Sequence, residues 1–304
     1  MTDPTHPLAG GVAVITGAAS GFGLEASRLA ARIGMRIVMA DVQVDALDAA
    51  ARTMRELGAQ VLPYHLDVAD GAQVEALAAA TTRHFGVPHF VFNNAGVGAG
   101  GLVWEAGVRD WQWVLGVNLM GVVHGVRVFT PLMLAAEAAD AAYRGHIVNT
   151  ASMAGLINPP NMGVYNVSKH AVVSLSETLY QDLALVSERV HAHVLCPFFV
   201  PTGIHLSERN RPGDLAAGQP TRSQLIGQAM SEKAVSGGKV SAAEVAQFVF
   251  DALAERRFYI YSHPRALRSV QVRLEDIMTA RNPSDPFAER PEVAQQLRAA
   301  LRGT

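Results

Sequence analysis

The sequence predicts an α/β fold with a doubly wound parallel sheet that is covered by helices on both faces. Short apolar runs rich in β-branched residues alternate with longer stretches rich in Ala, Leu, Glu and Arg at helical spacing. Glycines follow three of the predicted helices, at Gly34, Gly58 and Gly86, where a left-handed residue often ends a helix. No internal repeat or low-complexity linker interrupts this order. We therefore expect a single domain over residues 1–304.

Each predicted strand is a short, mostly apolar run. Such runs are typical of parallel strands that are buried on both faces. The seven predicted strands are Val12–Thr16, Ile37–Ala40, Val61–His65, Phe90–Asn93, Ile147–Thr150, Val190–Cys196 and Phe258–Tyr261. Helices are predicted between them, for example over Leu24–Gly34 and Gln73–Phe85. The core is expected to span residues 10–200 and 240–262.

Two regions depart from this alternation. Residues 201–238 are polar and rich in Gly and Pro, and we expect them to form a mobile cover over a substrate cleft. Residues 263–304 form a C-terminal extension that is expected to pack on the core or on a partner subunit. It begins with a stretch that includes the apolar residues Leu274, Ile277 and Met278. A proline-containing break follows at Asn282–Pro286, and a short helix is predicted over Glu292–Leu301.

Composition argues against several kinds of partner. The chain has a formal net charge of −2 and no basic tract, so nothing favours nucleic acid or an anionic membrane surface. Its single cysteine, Cys196, allows no internal disulfide or cysteine metal cluster, and its apolar flank indicates a buried thiol. Met1–Gly10 lacks a signal-peptide pattern, and no run reaches the roughly 18 uninterrupted apolar residues of a membrane span. A soluble cytoplasmic protein without a bound metal is expected.

A glycine-rich segment joins the first strand to the first helix. Glycines let the backbone turn sharply and approach a pyrophosphate, while the helix N-terminus supplies N–H donors. Alone, such a loop could be only a tight turn, but its place between a strand and a helix favours a nucleotide site. Its candidate cofactor-binding residues are Gly17, Ser20, Gly21, Phe22 and Gly23.

Asp41 ends the second predicted strand, at about the distance from the glycines where a carboxylate binds a ribose diol. The same carboxylate would repel a 2′-phosphate, and Ala18, Ala19 and Val42 offer no compensating cation. The alternative for Asp41 is a solvated turn residue. Together with the glycines, Asp41 predicts a Rossmann-type domain that binds NAD, with NADP less favoured.

Tyr165 and Lys169 stand four residues apart, which places them on one face of a helix. A nearby ammonium favours the phenolate, so we expect Lys169 to lower the pKa of Tyr165. The chain has 3 Lys against 22 Arg, and the two side chains are not interchangeable, which adds weight to a lysine at this position. The pair is a candidate acid/base catalyst.

Further motifs follow in order along the chain: Asn93–Gly96 after the fourth strand, Asn118 in the next helix and Ser152 after the fifth strand. With the glycine spacing and the tyrosine–lysine pair, the chain resembles the short-chain dehydrogenase/reductase family over residues 10–202. The resemblance implies a seven-stranded Rossmann-type sheet and an NAD(P)-dependent alcohol dehydrogenase or ketoreductase.

The resemblance also implies a role for each catalytic candidate. Tyr165 would protonate the carbonyl oxygen in reduction or deprotonate the alcohol in oxidation, and Ser152 would hydrogen-bond that oxygen. Lys169 would lower the pKa of Tyr165 and bind the nicotinamide ribose. Asn118 would hold a water that passes protons from Lys169 to solvent.

A larger cofactor-binding set is implied as well. Asp67 and Val68 would contact adenine, and Thr202 would contact the nicotinamide amide. The remaining implied contacts are Asn94, Ala95, Gly96, Tyr165, Lys169, Pro197 and Val200. The sequence departs from the family at Phe198, where a glycine usually follows the proline. Its ring is expected beside the nicotinamide pocket, where it would narrow the site.

The expected function is hydride transfer between NAD and a hydrophobic secondary alcohol or ketone, aromatic or alicyclic. The residues expected to face the substrate are mostly apolar and include no arginine to clamp a carboxylate or phosphate. They are Val97, Leu156, Asn158, Met162, Phe198, Val200 and Ile204. Two alternatives stay open: an NADP-dependent ketone or 3-oxoacyl reductase, and a non-catalytic NAD-sensing protein on the same fold.

A homodimer or homotetramer is expected, because the family commonly pairs the helices that carry Asn118 and Tyr165. Apolar residues on these helices would permit such pairing, namely Val122, Val126, Phe129, Val172, Val173, Leu175 and Leu179. His191 and His193 could grip a metal, but no third ligand is evident and two exposed histidines are the better interpretation. Ser168 is expected to lie at the wrong helical angle to share the chemistry of Tyr165.

Overall fold

The computed structural model describes residues 6–303, and a parallel sheet of seven strands forms its centre. The strand order is β3-β2-β1-β4-β5-β6-β7, with every neighbouring pair parallel. The bounds are β1 Val12–Thr16, β2 Arg36–Asp41, β3 Val61–His65, β4 Phe90–Asn93, β5 Gly145–Thr150, β6 Val190–Cys196 and β7 Tyr259–Tyr261. The predicted strands are therefore confirmed, with bounds shifted by no more than two residues.

Helices cover both faces of the sheet, which confirms the doubly wound α/β class. In the described residues they are α1 Gly21–Arg32, α2 Val44–Glu56, α3 Gly71–Phe85, α4 Val108–Leu115, α5 Gly121–Ala139, α6 Gly163–Val186, α7 Arg222–Ser236, α8 Ala242–Glu255, α9 Leu267–Met278 and α10 Pro291–Arg302. Alternate strand residues face opposite sides: Ile15 packs with α1, α2 and α8, whereas Val14 packs with α3, α5 and α6.

The three glycines predicted to end helices have positive φ angles of 80° at Gly34, 86° at Gly58 and 91° at Gly86. Other residue types rarely adopt such angles, so the reversals after α1, α2 and α3 depend on glycine. Because all strands are parallel, their carboxyl ends lie at one edge of the sheet, opposite the edge where these reversals lead into the next strands. The candidate site lies along the edge of the carboxyl ends.

The predicted cover over residues 201–238 is more ordered than its composition indicates. It contains two 3₁₀ segments, at Gly203–Asn210 and Gly213–Leu215, and then the 15-residue helix α7. A capping box begins α7, since the Thr221 hydroxyl accepts from the Gln224 N–H and the Gln224 side chain accepts from the Thr221 N–H. The segment therefore contains a regular helix, and its role as a mobile cover stays a prediction.

The C-terminal extension packs on the core, which was one of its two expected positions, the other being a partner subunit. Leu267 and Val270 of α9 contact an apolar cluster that includes Val173 and Cys196, and α10 contacts α7. The buried thiol at Cys196 is confirmed. The three apolar residues singled out in the sequence remain 48–84% exposed, at Leu274, Ile277 and Met278. The assignment of residues 1–304 to one domain stays a prediction.

One helical run, Val108–Ala139, is long and apolar enough by composition to cross a membrane. In this fold it comprises α4, a π-helical turn at Gly116–Met120, and α5. It packs closely on the sheet domain: a Cβ added at Gly125 would lie 2.0 Å from the Asn93 Oδ1 atom. Length and composition are therefore weak evidence here, and the absence of a membrane anchor stays a prediction. The prediction about a signal peptide falls partly on residues 1–5, outside the described residues.

The apolar residues expected at a subunit interface on α5 and α6 need correction, while the pairing of these helices stays a prediction. Five of the seven apolar residues are 0–7% exposed within a single chain and belong to its core, namely Val122, Phe129, Val172, Val173 and Leu179. They cannot form a surface between subunits. Val126 and Leu175 are half-buried and remain available for contact.

Candidate active site

Tyr165 and Lys169 lie in the first two turns of α6, and both side chains are buried. Ser152 follows β5 and begins a 3₁₀ turn at Met153–Gly155, where its hydroxyl accepts from the Ala154 N–H at 3.1 Å. The Ser152 hydroxyl donates to the Pro197 carbonyl at 3.4 Å and lies near enough to the Tyr165 phenol to affect its pKa. The structure thus brings together three of the four predicted catalytic residues, although Ser152 and Tyr165 come from different elements.

The electrostatics of this group differ from expectation. Burial raises the pKa of Tyr165 to about 12, and the nearby Ser152 hydroxyl only partly offsets this rise. Burial also lowers the pKa of Lys169 to about 8. The Lys169 Nζ atom lies 5.7 Å from the Tyr165 ring centroid and donates to the Thr150 carbonyl at 2.8 Å. The expectation that Lys169 brings the pKa of Tyr165 below its ordinary value is wrong here, because desolvation dominates.

Asn118 lies in the π-helical turn between α4 and α5 and is fully buried. Its side-chain oxygen accepts from the Val97 N–H at 2.8 Å, and its Nδ2 atom donates to the Val97 carbonyl and to the Ser168 hydroxyl. Ser168 therefore supports Asn118, a contact that its helical angle relative to Tyr165 did not reveal. π-Helical turns often occur at functional sites, and no local sequence signal announced this one. The water relay through Asn118 stays a prediction.

The glycine-rich segment forms an open turn before α1. Gly17 and Gly21 have positive φ angles of 64° and 54°. Ser20 begins α1 without a side-chain hydrogen bond to the helix, so the first N–H groups of α1 are not capped by its hydroxyl. A Cβ at Gly23 would lie 2.3 Å from the Gly17 carbonyl, so only glycine permits this close turn. Backbone donors at a helix N-terminus fit a bound pyrophosphate.

The acidic residue after β2 is held rigidly. Asp41 is 7% exposed, and its two carboxylate oxygens accept from the Ala19 and Gln43 N–H groups, each at 3.0 Å. These bonds orient the carboxylate at the end of a pocket, so the alternative of a solvated turn residue is wrong. Asp67 and Val68, which follow β3, line the same pocket, which we call the nucleotide pocket. Other predicted residues that line it are Gly17, Ser20, Gly21, Phe22, Asn94, Ala95, Gly96, Tyr165, Lys169, Pro197 and Thr202.

Asparagines after β4 fasten this pocket to the sheet. The Asn94 Nδ2 atom donates to the Thr16 carbonyl at 3.0 Å, and the Asn94 and Ala95 N–H groups donate to the Thr16 hydroxyl. Below them, Asn93 donates to Asn149 at 2.8 Å within the buried sheet. The segment therefore both lines the pocket and joins three strands.

The loop after β6 separates the pocket from a second, larger cavity. The Phe198 N–H donates to the Ser262 hydroxyl at 2.9 Å, and the Phe198 ring contacts the rings of Phe199 and His263. Phe198 lines the larger cavity, so the ring that replaces glycine shapes the substrate side. Val200 also faces that cavity rather than the nucleotide pocket, and its predicted cofactor contact, like that of Gly23, stays a prediction.

The larger cavity has a volume of about 1190 Å³. Tyr165 and Ser152 line it together with five residues that were expected to face the substrate, namely Asn158, Met162, Phe198, Val200 and Ile204. Val97 lines the nucleotide pocket instead, and Leu156 packs in a core cluster. The expectation of a wall without arginine is wrong, because the cover and the C-terminal extension contribute six arginines, namely Arg211, Arg265, Arg268, Arg273, Arg281 and Arg290.

His191 and His193 do not form an exposed pair. His193 is fully buried, and its Nε2 atom lies 3.0 Å from the Nδ1 atom of His146 on β5. Burial lowers the pKa of His193 to about 4. No group of three or more potential metal-ligating residues occurs in the described part of the chain.

The two cavities and the sheet edge together define a class of protein. A nucleotide pocket and a larger cavity meet at a buried tyrosine, at the carboxyl edge of a doubly wound sheet. That arrangement is typical of a dinucleotide-binding oxidoreductase of the Rossmann type.

Comparison with known proteins gives the family. The family model described as short chain dehydrogenase matches residues 11–212. A solved structure of a short chain dehydrogenase/reductase from Burkholderia phymatum in complex with NAD has a TM-score of 0.90 and 53% identity, and covers 93% of this chain and 100% of that chain. The protein belongs to the short-chain dehydrogenase/reductase family.

Curated relatives are more distant. A CLA biosynthesis dehydrogenase/reductase from Lactiplantibacillus plantarum is 33% identical over 274 residues, which cover 88% of this chain and 93% of the relative. A 1-deoxy-11-beta-hydroxypentalenate dehydrogenase from Streptomyces exfoliatus is 33% identical over 269 residues and covers 87% of each chain. Both carry dehydrogenase in their names, which agrees with an oxidoreductase family.

Proposed function

We propose that the protein is an NAD-dependent dehydrogenase or ketoreductase acting on a hydrophobic secondary alcohol or ketone, aromatic or alicyclic. The observation that carries the proposal is the position of Tyr165, which lines both the nucleotide pocket and the larger cavity. A phenol at this junction can reach a substrate oxygen beside a bound nicotinamide. A relative named for a hydroxylated substrate and a similar structure containing NAD support the proposal.

Tyr165, Ser152 and Lys169 have different roles in the proposed proton transfer. Bound NAD supplies or accepts the hydride. Burial keeps the Tyr165 phenol protonated at neutral pH, which suits donation to a ketone oxygen in reduction. Ser152, which lines the larger cavity with Tyr165, would hydrogen-bond the same oxygen. Lys169, with a pKa of about 8, can exchange protons near neutral pH and supports the return of the proton to Tyr165.

NAD is the cofactor proposed, because the fixed Asp41 carboxylate would repel a 2′-phosphate. One observation favours the NADP-dependent alternative: Arg209 of the cover also lines the nucleotide pocket, and its Nε atom donates to Gln43 at 3.1 Å. That guanidinium could reach an adenosine phosphate. The ratio of kcat/KM for NAD and NADP separates the two, and preference for NAD in wild type and in Arg209→Gln is expected.

The experiment that tests the function follows absorbance at 340 nm with NAD and, separately, NADP over aliphatic, alicyclic, aryl and steroid secondary alcohols. Tyr165→Phe is expected to lower kcat by at least about 100-fold, because it removes only the transferable proton. Tyr180→Phe is the matched control, since Tyr180 lies on the same helix, is 42% exposed and lines neither cavity. Full activity in Tyr165→Phe would overturn the proposal.

The non-catalytic alternative predicts a different result. A sensing protein would bind NADH tightly and turn over no alcohol on the panel. The chain retains all four candidates: Ser152, Tyr165 and Lys169 lie together, and Asn118 is joined to the same helix through Ser168. This retention favours catalysis over sensing.

A cytoplasmic location and a homodimer or homotetramer are part of the proposal. Metal, nucleic acid and membrane have no place in it. Gel filtration with light scattering of the full chain tests the oligomeric state, and a monomer at micromolar concentration would refute that part.

A further inference from the structure

The larger cavity has walls of different chemistry. Residues that adjoin Ser152 and Tyr165 in the chain are apolar, namely Ala154, Met162 and Val164. The wall formed by the C-terminal extension instead carries arginines. Five of the seven arginines in residues 263–304 line the cavity, at positions Arg265, Arg268, Arg273, Arg281 and Arg290.

The arginines of α9 all face the cavity. The residues of α9 and the turn before it that line the cavity recur at helical spacing, at Arg265, Arg268, Ser269, Val272, Arg273, Asp276 and Ile277. Gln271 and Glu275 lie on the other side of the helix and do not line it. Both arginines of α9, Arg268 and Arg273, therefore lie on the side of the helix that lines the cavity.

Ion pairs account for only part of this positive charge. Arg281 lies 3.1 Å from Asp276, which also accepts from the Ser284 N–H and hydroxyl and so fastens the following turn. Arg268 reaches Glu289 at 3.8 Å, with both side chains at least 80% exposed. Such an exposed pair contributes little.

Three arginines of the wall have no carboxylate partner. Within residues 6–303, none lies within 4.0 Å of the guanidinium groups of Arg265, Arg273 or Arg290. Arg273 is half-buried and close enough to His170 on α6 to add to the effect of burial in lowering the pKa of that histidine. It therefore lies near the catalytic helix, although Asp276, Asp285 and Glu289 supply negative charge elsewhere on the same wall.

We propose that the arginine wall, in which Arg265 and Arg273 line the cavity without an ion pair about two helical turns apart, binds the anionic end group, a carboxylate or a phosphate, of a long and otherwise apolar substrate. A guanidinium presents several N–H donors in a planar fork that matches both groups. The cavity of about 1190 Å³ exceeds the range of about 300–1000 Å³ usual for small ligands, so an extended molecule fits. The inference rests on the proposed function, because it places the reacting oxygen at Tyr165 and the charged end at α9.

Direct binding tests the inference without turnover. Isothermal titration of the full chain, with and without NADH, would compare decanoate, its uncharged methyl ester and decanoyl-coenzyme A. Wild type is expected to bind decanoate at least about tenfold more tightly than the methyl ester, as one charge-assisted contact provides. The variant Arg265→Gln/Arg273→Gln is expected to lose that difference and to bind the ester as wild type does.

Arg52→Gln is the matched control, since Arg52 is an exposed arginine on α2 without an ion pair in the described residues and lies outside both cavities. Decanoyl-coenzyme A binding more tightly than decanoate, with the same loss in the double variant, would assign the anion to a phosphate. Equal affinity of wild type for decanoate and its ester, no binding of any probe, or an unchanged preference in the double variant would overturn the inference. Failure of hydride transfer would leave these affinities unaffected, so the two proposals fail separately.

Discussion

Gly125 on α5 gives a sharp test of how the sheet supports the site. A Cβ at this position would lie 2.0 Å from Asn93 Oδ1 and 2.7 Å from its Cγ. Asn93 is 4% exposed and donates to Asn149, which in turn donates to the Ser176 hydroxyl at 3.0 Å. The substitution Gly125→Ala must therefore displace a buried side chain that has no free space.

The expected magnitude follows from three terms. Overpacking of a core contact costs about 1–3 kcal/mol, and a buried amide that loses its partner costs about 1–3 kcal/mol more. Alanine gains about 1 kcal/mol over glycine inside a helix. The net expectation for Gly125→Ala is a loss of about 1–5 kcal/mol in the free energy of unfolding, opposite in sign to the helix-propensity effect alone.

Urea denaturation followed by circular dichroism measures this difference. Gly213→Ala is the matched control, because a Cβ at the exposed Gly213 would meet no atom within 4 Å. It is expected to stay within about 0.5 kcal/mol of wild type. A Gly125→Ala variant that equals wild type in stability, or exceeds it, would refute the close packing of α5 on Asn93.

Three further predictions concern the site itself. Asp41→Ser is expected to raise the ratio of kcat/KM for NADP over NAD by about tenfold or more, because it removes the repulsive carboxylate; an unchanged ratio would contradict this. Arg211→Lys is expected to raise KM more than it changes kcat. The Arg211 guanidinium lies 4.3 Å from the Trp113 ring centroid and 2.7 Å from Asp110, and so joins the cover to α4. An unaltered KM in steady-state kinetics would contradict the importance of this contact. The pKa of Lys169 is about 8 in the folded chain against an ordinary 10.5, so the unfolded chain binds more protons between these values. Across that window, urea denaturation should show the stability of wild type rising by up to about 3 kcal/mol relative to Lys169→Met, whereas a flat difference would rule out a depressed pKa.

The sheet and the nucleotide pocket could be predicted from the sequence because local patterns encode them. Apolar runs give the strands, and the glycines and Asp41 lie within about 30 residues of one another. The start of helix α7 could also be predicted from the sequence, since Thr221 and Gln224 form a capping box. The surrounding Gly and Pro residues concealed that signal.

Contacts between distant segments could not be predicted in the same way. The burial of His193 depends on His146, which lies 47 residues earlier on a neighbouring strand. The pKa of Tyr165 depends on how completely the folded chain excludes water, and spacing from Lys169 does not contain that information. The arginine wall arises only when α9 is placed against the cavity.

That placement separates two properties along the chain. Every residue that lines the nucleotide pocket lies between Gly17 and Asn210, whereas five of the cavity's arginines follow β7. The nucleotide pocket and the arginine wall of the cavity therefore come from separate parts of the chain. Substitutions at these arginines, which leave the packing of Leu267 and Val270 on the core intact, are expected to keep dinucleotide affinity and to change selectivity. Changes in the last forty or so residues could then redirect the enzyme to a new molecule without disturbing the machinery that moves the hydride.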